Sequence, residues 1–296
     1  MKILVLDVGG TAIKSALIDE ADQLYDIRLS TSSSEPEERI QKVISLAKAY
    51  SEFDAVSCAM CGQIDDQKGE VLFRYHRSSS DQQAAFPAGK ILQAALGCPV
   101  FLLNDCNAAA LGEAYFGAGE KENRFLCLTY GTGVGGAIIE NRELYSGSCG
   151  IAGEVGHMIT HKGGRPCGCG GRGCYEQYAS TTALLRNAKK HYPHLENAKQ
   201  LFALAQEEAA LQKIIRAWEG EIVTGLLTLS YIFNPSCIIL GGGVMERTDV
   251  IEQIRRQFAQ SVIPTFGDLQ ILPARLGNQA GLFGAAVYAR QRLSQS

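Results

Sequence analysis

Asn104 and Asp105 stand where a short apolar run, Val100–Leu103, gives way to a helical pattern. A carboxylate at such a junction can take a proton from an incoming hydroxyl, with Asn104 orienting a neighbouring hydroxyl. An Asp at a strand-to-helix junction equally suits a helix cap, and spacing alone leaves both roles open. Glycine clusters follow three other strand-like runs, at Gly9-Gly10, Gly131–Gly136 and Gly241–Gly243. Glycine lets the backbone approach a ligand closely, so that N–H groups converge on an anion. Thr11 and Thr132 add hydroxyl donors, and Asp7, at the mouth of the first loop, offers oxygen to a hydrated Mg²⁺. A single Gly-Gly is otherwise an ordinary tight hairpin, but three such loops favour a nucleotide held between two lobes. Phosphoryl transfer then becomes the natural chemistry, since it asks mostly for positioning and charge neutralisation and a modest base suffices.

Neither common phosphate-binding fold fits. A strand-like run, Ala137–Ile139, follows Gly131–Gly136 where a dinucleotide fingerprint requires a helix. No G-x-x-x-x-G-K-[ST] is present.

The glycine-rich stretch Gly147–His157 offers Glu154 and His157, an acid and an imidazole suited to recognising several hydroxyls. His157 also precedes Cys167-Gly168-Cys169, with Cys174 beyond. Three thiolates and one imidazole match a closed tetrahedral Zn²⁺ site, with His161 as the competing ligand and free thiols as the alternative. Glu176 would be carried toward the same place as Glu154. A closed site has no open position, so a metal there would organise the loop and not activate a substrate.

The elements that must position these residues alternate in type, which indicates an α/β protein. Strands are expected at Ile3–Val8, Ala12–Ile18, Asp54–Met60, Val100–Leu103, Phe125–Thr129, Ala137–Ile139 and Cys237–Leu240. Ser34 before Pro36 and Glu37 reads as a helix start, continued by Ile40, Val43, Ile44 and Ala47 at helical spacing. Helical patterns recur at Thr181–Lys190, Ile214–Phe233 and Ala280–Leu293, and Ala118–Asn123 could serve as a hinge. Leu6–Thr11 and Leu128–Gly133 share one strand–glycine–threonine pattern, as a duplicated unit would.

Composition sets the bounds. An apolar fraction of 46% and a charged fraction of 20% are those of a globular protein of two ordinary domains. A formal charge of −3 gives no general attraction for nucleic acid or anionic membrane, so local donors must hold any anion. The apolar run Ile3–Leu6 is shorter than the roughly 7–15 residues of a signal peptide. Ile222–Phe233 falls short of the about 20 residues of a bilayer span. A cytoplasmic location is expected. Cys58, Cys98, Cys106, Cys127 and Cys237 sit singly in apolar or strand-like segments as core residues do, while Cys58-Ala-Met-Cys61 has a redox spacing at a strand end.

Taken together, Asp7-x-Gly9-Gly10-Thr11-x-x-Lys14, Asn104-Asp105-x-Asn107, Gly131-Thr132-Gly133-Val134-Gly135-Gly136-Ala137, Gly153-Glu154-Val155-Gly156-His157 and Cys167-x-Cys169-Gly170-x-x-Gly173-Cys174-x-Glu176 resemble the ROK family of bacterial sugar kinases and repressors. The resemblance spans nearly the whole chain in the family's order. It implies a two-lobed actin–hexokinase-like (ribonuclease H-like) α/β fold with ATP and sugar in the inter-lobe cleft. The smaller lobe would comprise residues 1–118 and 283–296, the larger one 119–282. By the same resemblance Asp105 is the catalytic base, and Asn104, Glu154, His157 and Glu176 bind the sugar. Asp7, Gly9, Gly10, Thr11, Lys14, Gly131, Thr132, Gly133, Gly135 and Gly241, Gly242 and Gly243 would serve ATP and Mg²⁺. His157, Cys167, Cys169 and Cys174 would hold a structural Zn²⁺. The implied reaction moves the γ-phosphate of ATP to the 6-hydroxyl of a hexose, glucose first, with N-acetylmannosamine and N-acetylglucosamine as alternatives. A homodimer is the implied assembly. A non-catalytic sugar sensor is the alternative of another class; a helix-turn-helix would have to precede the first loop, and that loop begins at Asp7. Many family glucokinases carry an Asn followed by an aromatic segment where this chain reads Arg77–Pro87, without a counterpart. That difference bears on one edge of the sugar.

Overall fold

Near-continuous apolar runs form the centre of the first sheet because both its faces are covered. The computed structural model describes residues 1–33, 35–72 and 85–295. Ser34, read above as a helix start, and residues 77–84 of the Arg77–Pro87 stretch lie outside them.

The chain divides into two units, one of Met1–Asn123, Ala137–Ala152 and Asn278–Ser296, the other of Arg124–Gly136 and Gly153–Gly277. In the first, β1 (Ile3–Val8), β2 (Ala12–Ile18) and β3 (Leu24–Thr31) lead into α1 (Pro36–Ala47). There follow β4 (Ala55–Met60), the small hairpin β5 (Gln63–Asp65) and β6 (Glu70–Leu72), α2 (Ala88–Leu96), β7 (Val100–Asn104) and α3 (Asp105–Phe116). The sheet order is β3-β2-β1-β4-β7. β1 is antiparallel to β2 and parallel to β4, and β4 is parallel to β7. Leu4, Leu6 and Val8 pack with Ile40 and Val43 of α1 and with Leu92 of α2.

The C-terminal helix (Ala280–Ser294) also belongs to this unit and crosses α3 at backbone contact. A Cβ on Gly284 would overlap the Ala108 carbonyl, and one on Gly112 the Ala280 carbonyl. Only glycine permits that approach, and it fixes the helix whose first residue is Asp105.

The second sheet runs β10-β9-β8-β11-β12. Its strands are β8 (Arg124–Tyr130), β9 (Val134–Glu140), β10 (Glu143–Leu144), β11 (Cys237–Gly241) and β12 (Gln270–Pro273). β11 is parallel to both β8 and β12, with Leu240 opposite Leu128. Around it lie α4 (Glu176–Ala179), α5 (Thr181–Ala188), α6 (Ala198–Leu204), α7 (Ala209–Phe233) and α8 (Thr248–Ser261).

β1 and β2 have the bounds expected from the sequence. β9 begins three residues before the expected Ala137, which tightens the preceding loop to Gly131–Gly133. α7 begins at Ala209, ahead of the expected Ile214, because buried Leu211, four residues before Ile215, extends the apolar face one turn further and Ala209, Ala210 and Gln212 are helix formers. No helix of the described residues is long and apolar enough to cross a membrane.

Candidate active site

The strand-to-helix junction separates the two roles that spacing left open. Asn104 is the cap: its Oδ1 accepts from the N–H groups of Cys106 at 2.8 Å and Asn107 at 3.1 Å. Its Nδ2 donates to the Gly62 carbonyl at 2.9 Å, leaving one amide hydrogen for another acceptor. Asp105 is thereby the first residue of α3, and its Oδ1 accepts from the Cys106 N–H at 2.9 Å. Burial pushes its carboxyl up to about 6, the Asp7 charge adds to this, and the Cys106 N–H opposes it.

Asp7, the penultimate residue of β1, lies beside the first turn of the C-terminal helix, where a Cβ on Gly281 would lie 3.3 Å from its carboxyl carbon. Burial raises its pKa and the facing Lys14 lowers it. Lys14 itself donates to the Asn278 carbonyl at 2.6 Å. The Gly9-Gly10-Thr11 turn is locked by a Gly9 N–H bond to the Ala12 carbonyl at 2.9 Å, while a Cβ on Gly10 would meet nothing within 4 Å. That open side is where a ligand could approach. Cys58 nearby is wholly buried with its thiol pushed up to about 12, and Cys61 is raised as well. The redox spacing of this pair therefore supplies no thiolate at neutral pH.

The other sequence-predicted residues gather in the second unit. Gly131 N–H donates to the Gly133 carbonyl at 3.0 Å, with Thr132 at the exposed tip and Gly135 inside β9. Gly136 abuts Val155 and the Gly153 carbonyl, so the hairpin packs directly on the loop of Glu154 and His157. A Cβ on Gly133 would lie 2.6 Å from Glu176 Oε2. Glu176 opens α4, with its Oε1 accepting from the Cys167 thiol at 3.0 Å. His157 sits between the two acids, Nε2 at 3.7 Å from Glu154 and Nδ1 at 4.0 Å from Glu176.

One ligand atom each from His157, Cys167, Cys169 and Cys174 lies within 4.8 Å of the others. Cys169 and Cys174 sulfurs are 3.6 Å apart, and His157 Nδ1 is 3.8 Å from the Cys167 sulfur. A tetrahedron with metal–sulfur bonds of about 2.3 Å has edges of about 3.8 Å, so the set has the size zinc requires. Burial pushes the Cys167 thiol up to about 12, so its thiolate needs a cation. His161 is elsewhere: it stacks on Tyr178 at 3.8 Å and faces Glu221 at 3.6 Å.

A cavity of about 560 Å³ opens beside the Gly131 hairpin, its wall including Tyr130, Thr132, Leu185, Phe202, Gly243 and Arg247. Gly242, with φ +100°, places the Gly241–Gly243 loop against the Tyr130 carbonyl, where any Cβ would overlap. Arg247 lies over the Phe202 ring at 4.5 Å and pairs with Asp249 at 2.6 Å. Sequence reasoning found the glycine loops but not Leu185, Phe202 or Arg247, which belong to no motif. Their only signal was a position on or beside apolar helices.

The first unit offers a buried carboxylate and a glycine turn, the second a glycine hairpin, a glycine-walled cavity and a zinc-sized cluster, and each set suits phosphoryl transfer to a small hydroxylated substrate. Residues 3–292 match the ROK family. Glucokinase of Streptomyces coelicolor is 33% identical over 315 aligned residues, covering 97% of this chain and 96% of that one. N-acetylmannosamine kinase of Yersinia pseudotuberculosis is 31% identical over 295, covering 99% of both. Among solved structures, a ROK family glucokinase from Streptomyces griseus in complex with glucose and AMPPNP superposes with a TM-score of 0.84 at 32% identity, over 98% of this chain and 100% of that one. The chain belongs to the ROK family, has its two-lobed actin–hexokinase-like α/β fold, and is an ATP-dependent sugar kinase.

Proposed function

We propose that the protein transfers the γ-phosphate of ATP to the 6-hydroxyl of a hexose, with glucose as the first candidate. The observation that carries this reading is Asp105, relieved of capping by Asn104 and held near neutrality by burial. The hydroxyl proton passes to the Asp105 carboxylate as the sugar oxygen bonds to phosphorus and the bond from phosphorus to the ADP oxygen breaks. Asn104, through its remaining amide hydrogen, and Glu154, His157 Nε2 and Glu176 hold the other hydroxyls. The backbone of Gly9–Thr11 and Gly131–Gly133 receives the phosphates, and the Phe202–Arg247 cavity with Gly241–Gly243 receives the adenosine.

Asp7 fits Mg²⁺, a hard cation that takes one or two carboxylates plus phosphates, and when bound the ion neutralises phosphate charge. Its burial-raised carboxyl supports this, because a nearby cation restores the charged form. His157, Cys167, Cys169 and Cys174 would hold a structural zinc that keeps His157 and Glu176 in place. Lys14, tied to the Asn278 carbonyl, steadies Asp7 electrostatically. A cytoplasmic homodimer is the expected form, which light scattering checks.

An N-acylhexosamine acceptor is the second reading. The alignment with the Yersinia kinase runs 295 positions against 296 residues here, whereas the Streptomyces coelicolor glucokinase needs 315. ADP release measured against glucose, N-acetylmannosamine and N-acetylglucosamine separates the two; ATP binding with no turnover on any hexose would sink both.

A further inference from the structure

Two fully buried tyrosines join the nucleotide hairpin to the sugar loop inside the second unit. Tyr130 ends β8 immediately before Gly131 and lines the cavity. Tyr175 lies between Cys174 and Glu176. Both rings are 0% exposed, their hydroxyls are 2.9 Å apart, and the rings meet edge-on with centroids at 6.4 Å. The Tyr175 hydroxyl donates to the Ile222 carbonyl of α7 at 2.8 Å, so the Tyr130 hydroxyl must be the donor of the pair.

The surroundings are shaped to keep this contact. A Cβ on Gly225 would lie 2.3 Å from Tyr175 Cζ and 2.7 Å from its hydroxyl oxygen, so α7 leaves room for that ring only by being glycine there. The main chain of Tyr130 is held just as firmly: its carbonyl accepts from the Thr181 hydroxyl at 3.3 Å. The Tyr175 N–H donates to the Met158 carbonyl at 2.7 Å, one residue beyond His157. Two apolar rings would fill the same space without any directional bond. A hydroxyl pair instead fixes distance and angle, at the cost of leaving a buried polar group unpaired whenever it breaks.

We infer that the Tyr130–Tyr175 hydroxyl bond is a positioning device that sets Glu176 against the Gly131–Gly133 hairpin and so tunes sugar affinity. The inference rests on the reading of Glu176 as a sugar ligand. Glu176 follows Tyr175 directly, and its Oε2 already lies against Gly133 with no space for a side chain between. Losing the bond frees Tyr175 to settle differently and moves Glu176 with it. The nucleotide cavity keeps its other walls, so ATP affinity should hold.

The test compares the purified full-length protein with Tyr130→Phe, Tyr175→Phe and the double variant, at matched zinc content. Steady-state ADP release is followed with glucose or N-acetylmannosamine varied at saturating ATP, and with ATP varied at saturating sugar. A neutral hydrogen bond predicts a sugar KM raised about three- to tenfold in each single variant, with the ATP KM changed by less than about twofold. The double variant should be no worse than Tyr175→Phe, because that substitution already removes the Tyr130–Tyr175 bond together with the Tyr175–Ile222 bond. Should Tyr175→Phe fail to fold, Tyr130→Phe still decides the matter, since it leaves the Tyr175–Ile222 bond intact. A folded Tyr130→Phe variant with an unchanged sugar KM, sugar and ATP KM rising together, or multiplicative effects of the two substitutions would each overturn the inference. Wild-type protein without hexose turnover would instead contradict the kinase reading and take the inference with it.

Discussion

Burial and the neighbouring Asp7 charge hold the Asp105 carboxyl up at about 6, so its proton is gained and lost close to neutral pH. A base works only when ionised, so kcat/KM should fall as pH drops through about 6 and stay level above it. A rate profile without an acid limb between about pH 5 and 7 would contradict the assignment. The sign for stability is opposite. The folded-state pKa lies above the unfolded one, so the stabilising contribution is complete below about pH 4 and is lost as pH rises through about 6. Asp105→Asn should therefore melt a few degrees higher than wild type at pH 8, from about 3 kcal/mol of relieved charge burial. That gain should vanish near about pH 4, while turnover falls about 10²- to 10⁴-fold. Calorimetry at both pH values, paired with rates, checks the two halves. The sequence located this residue but left it open as helix cap or base, because an Asp at a strand-to-helix junction suits either role. Only the two N–H bonds to Asn104 Oδ1 decide it.

Two elements carry the site. The crossing of α3 and the C-terminal helix depends on Gly112 and Gly284, which sequence periodicity cannot flag since the partner helix lies far along the chain. Gly284→Ala places a methyl on the Ala108 carbonyl, and should lower stability by about 1–3 kcal/mol or more, with kcat falling alongside. Thermal melting of that variant checks it; an unchanged melt would mean the helices part without cost. The zinc-sized loop makes a different prediction. Cys169→Ser, or treatment with a strong chelator, should raise the sugar KM with little change in the ATP KM, because His157 and Glu176 lose their anchor while the cavity does not. Equal effects on both substrates would show that the loop supports more than sugar binding. This loop was legible in the sequence because metal ligation leaves a spacing. In the sequence His161 is an equal candidate ligand to His157, and the fold removes it by carrying it to Tyr178 and Glu221. The adenosine-sized cavity left no such spacing, as Leu185, Phe202 and Arg247 come together from separate elements.

Over the whole molecule, a net charge of −3 gives ATP no general welcome, and affinity must come from local features. On the proposed reading those features are the glycine hairpins, Asp7 with the Mg²⁺ it would hold, and the cavity lined by Arg247. The fold was legible from alternating strands and helices, whereas the exact acceptor was not, because Arg77–Pro87 carries no counterpart of the Asn and aromatic segment found in many family glucokinases. The central claim is phosphoryl transfer to a hexose with Asp105 as base, and phosphorus NMR of the products tests it most directly. Wild-type protein with ATP, Mg²⁺ and glucose or N-acetylmannosamine should give a sugar 6-phosphate and ADP, and Asp105→Ala should bind the sugar but give neither. A wild-type reaction that binds sugar yet yields no phosphorylated sugar, or an Asp105→Ala variant that keeps wild-type turnover, would contradict the account.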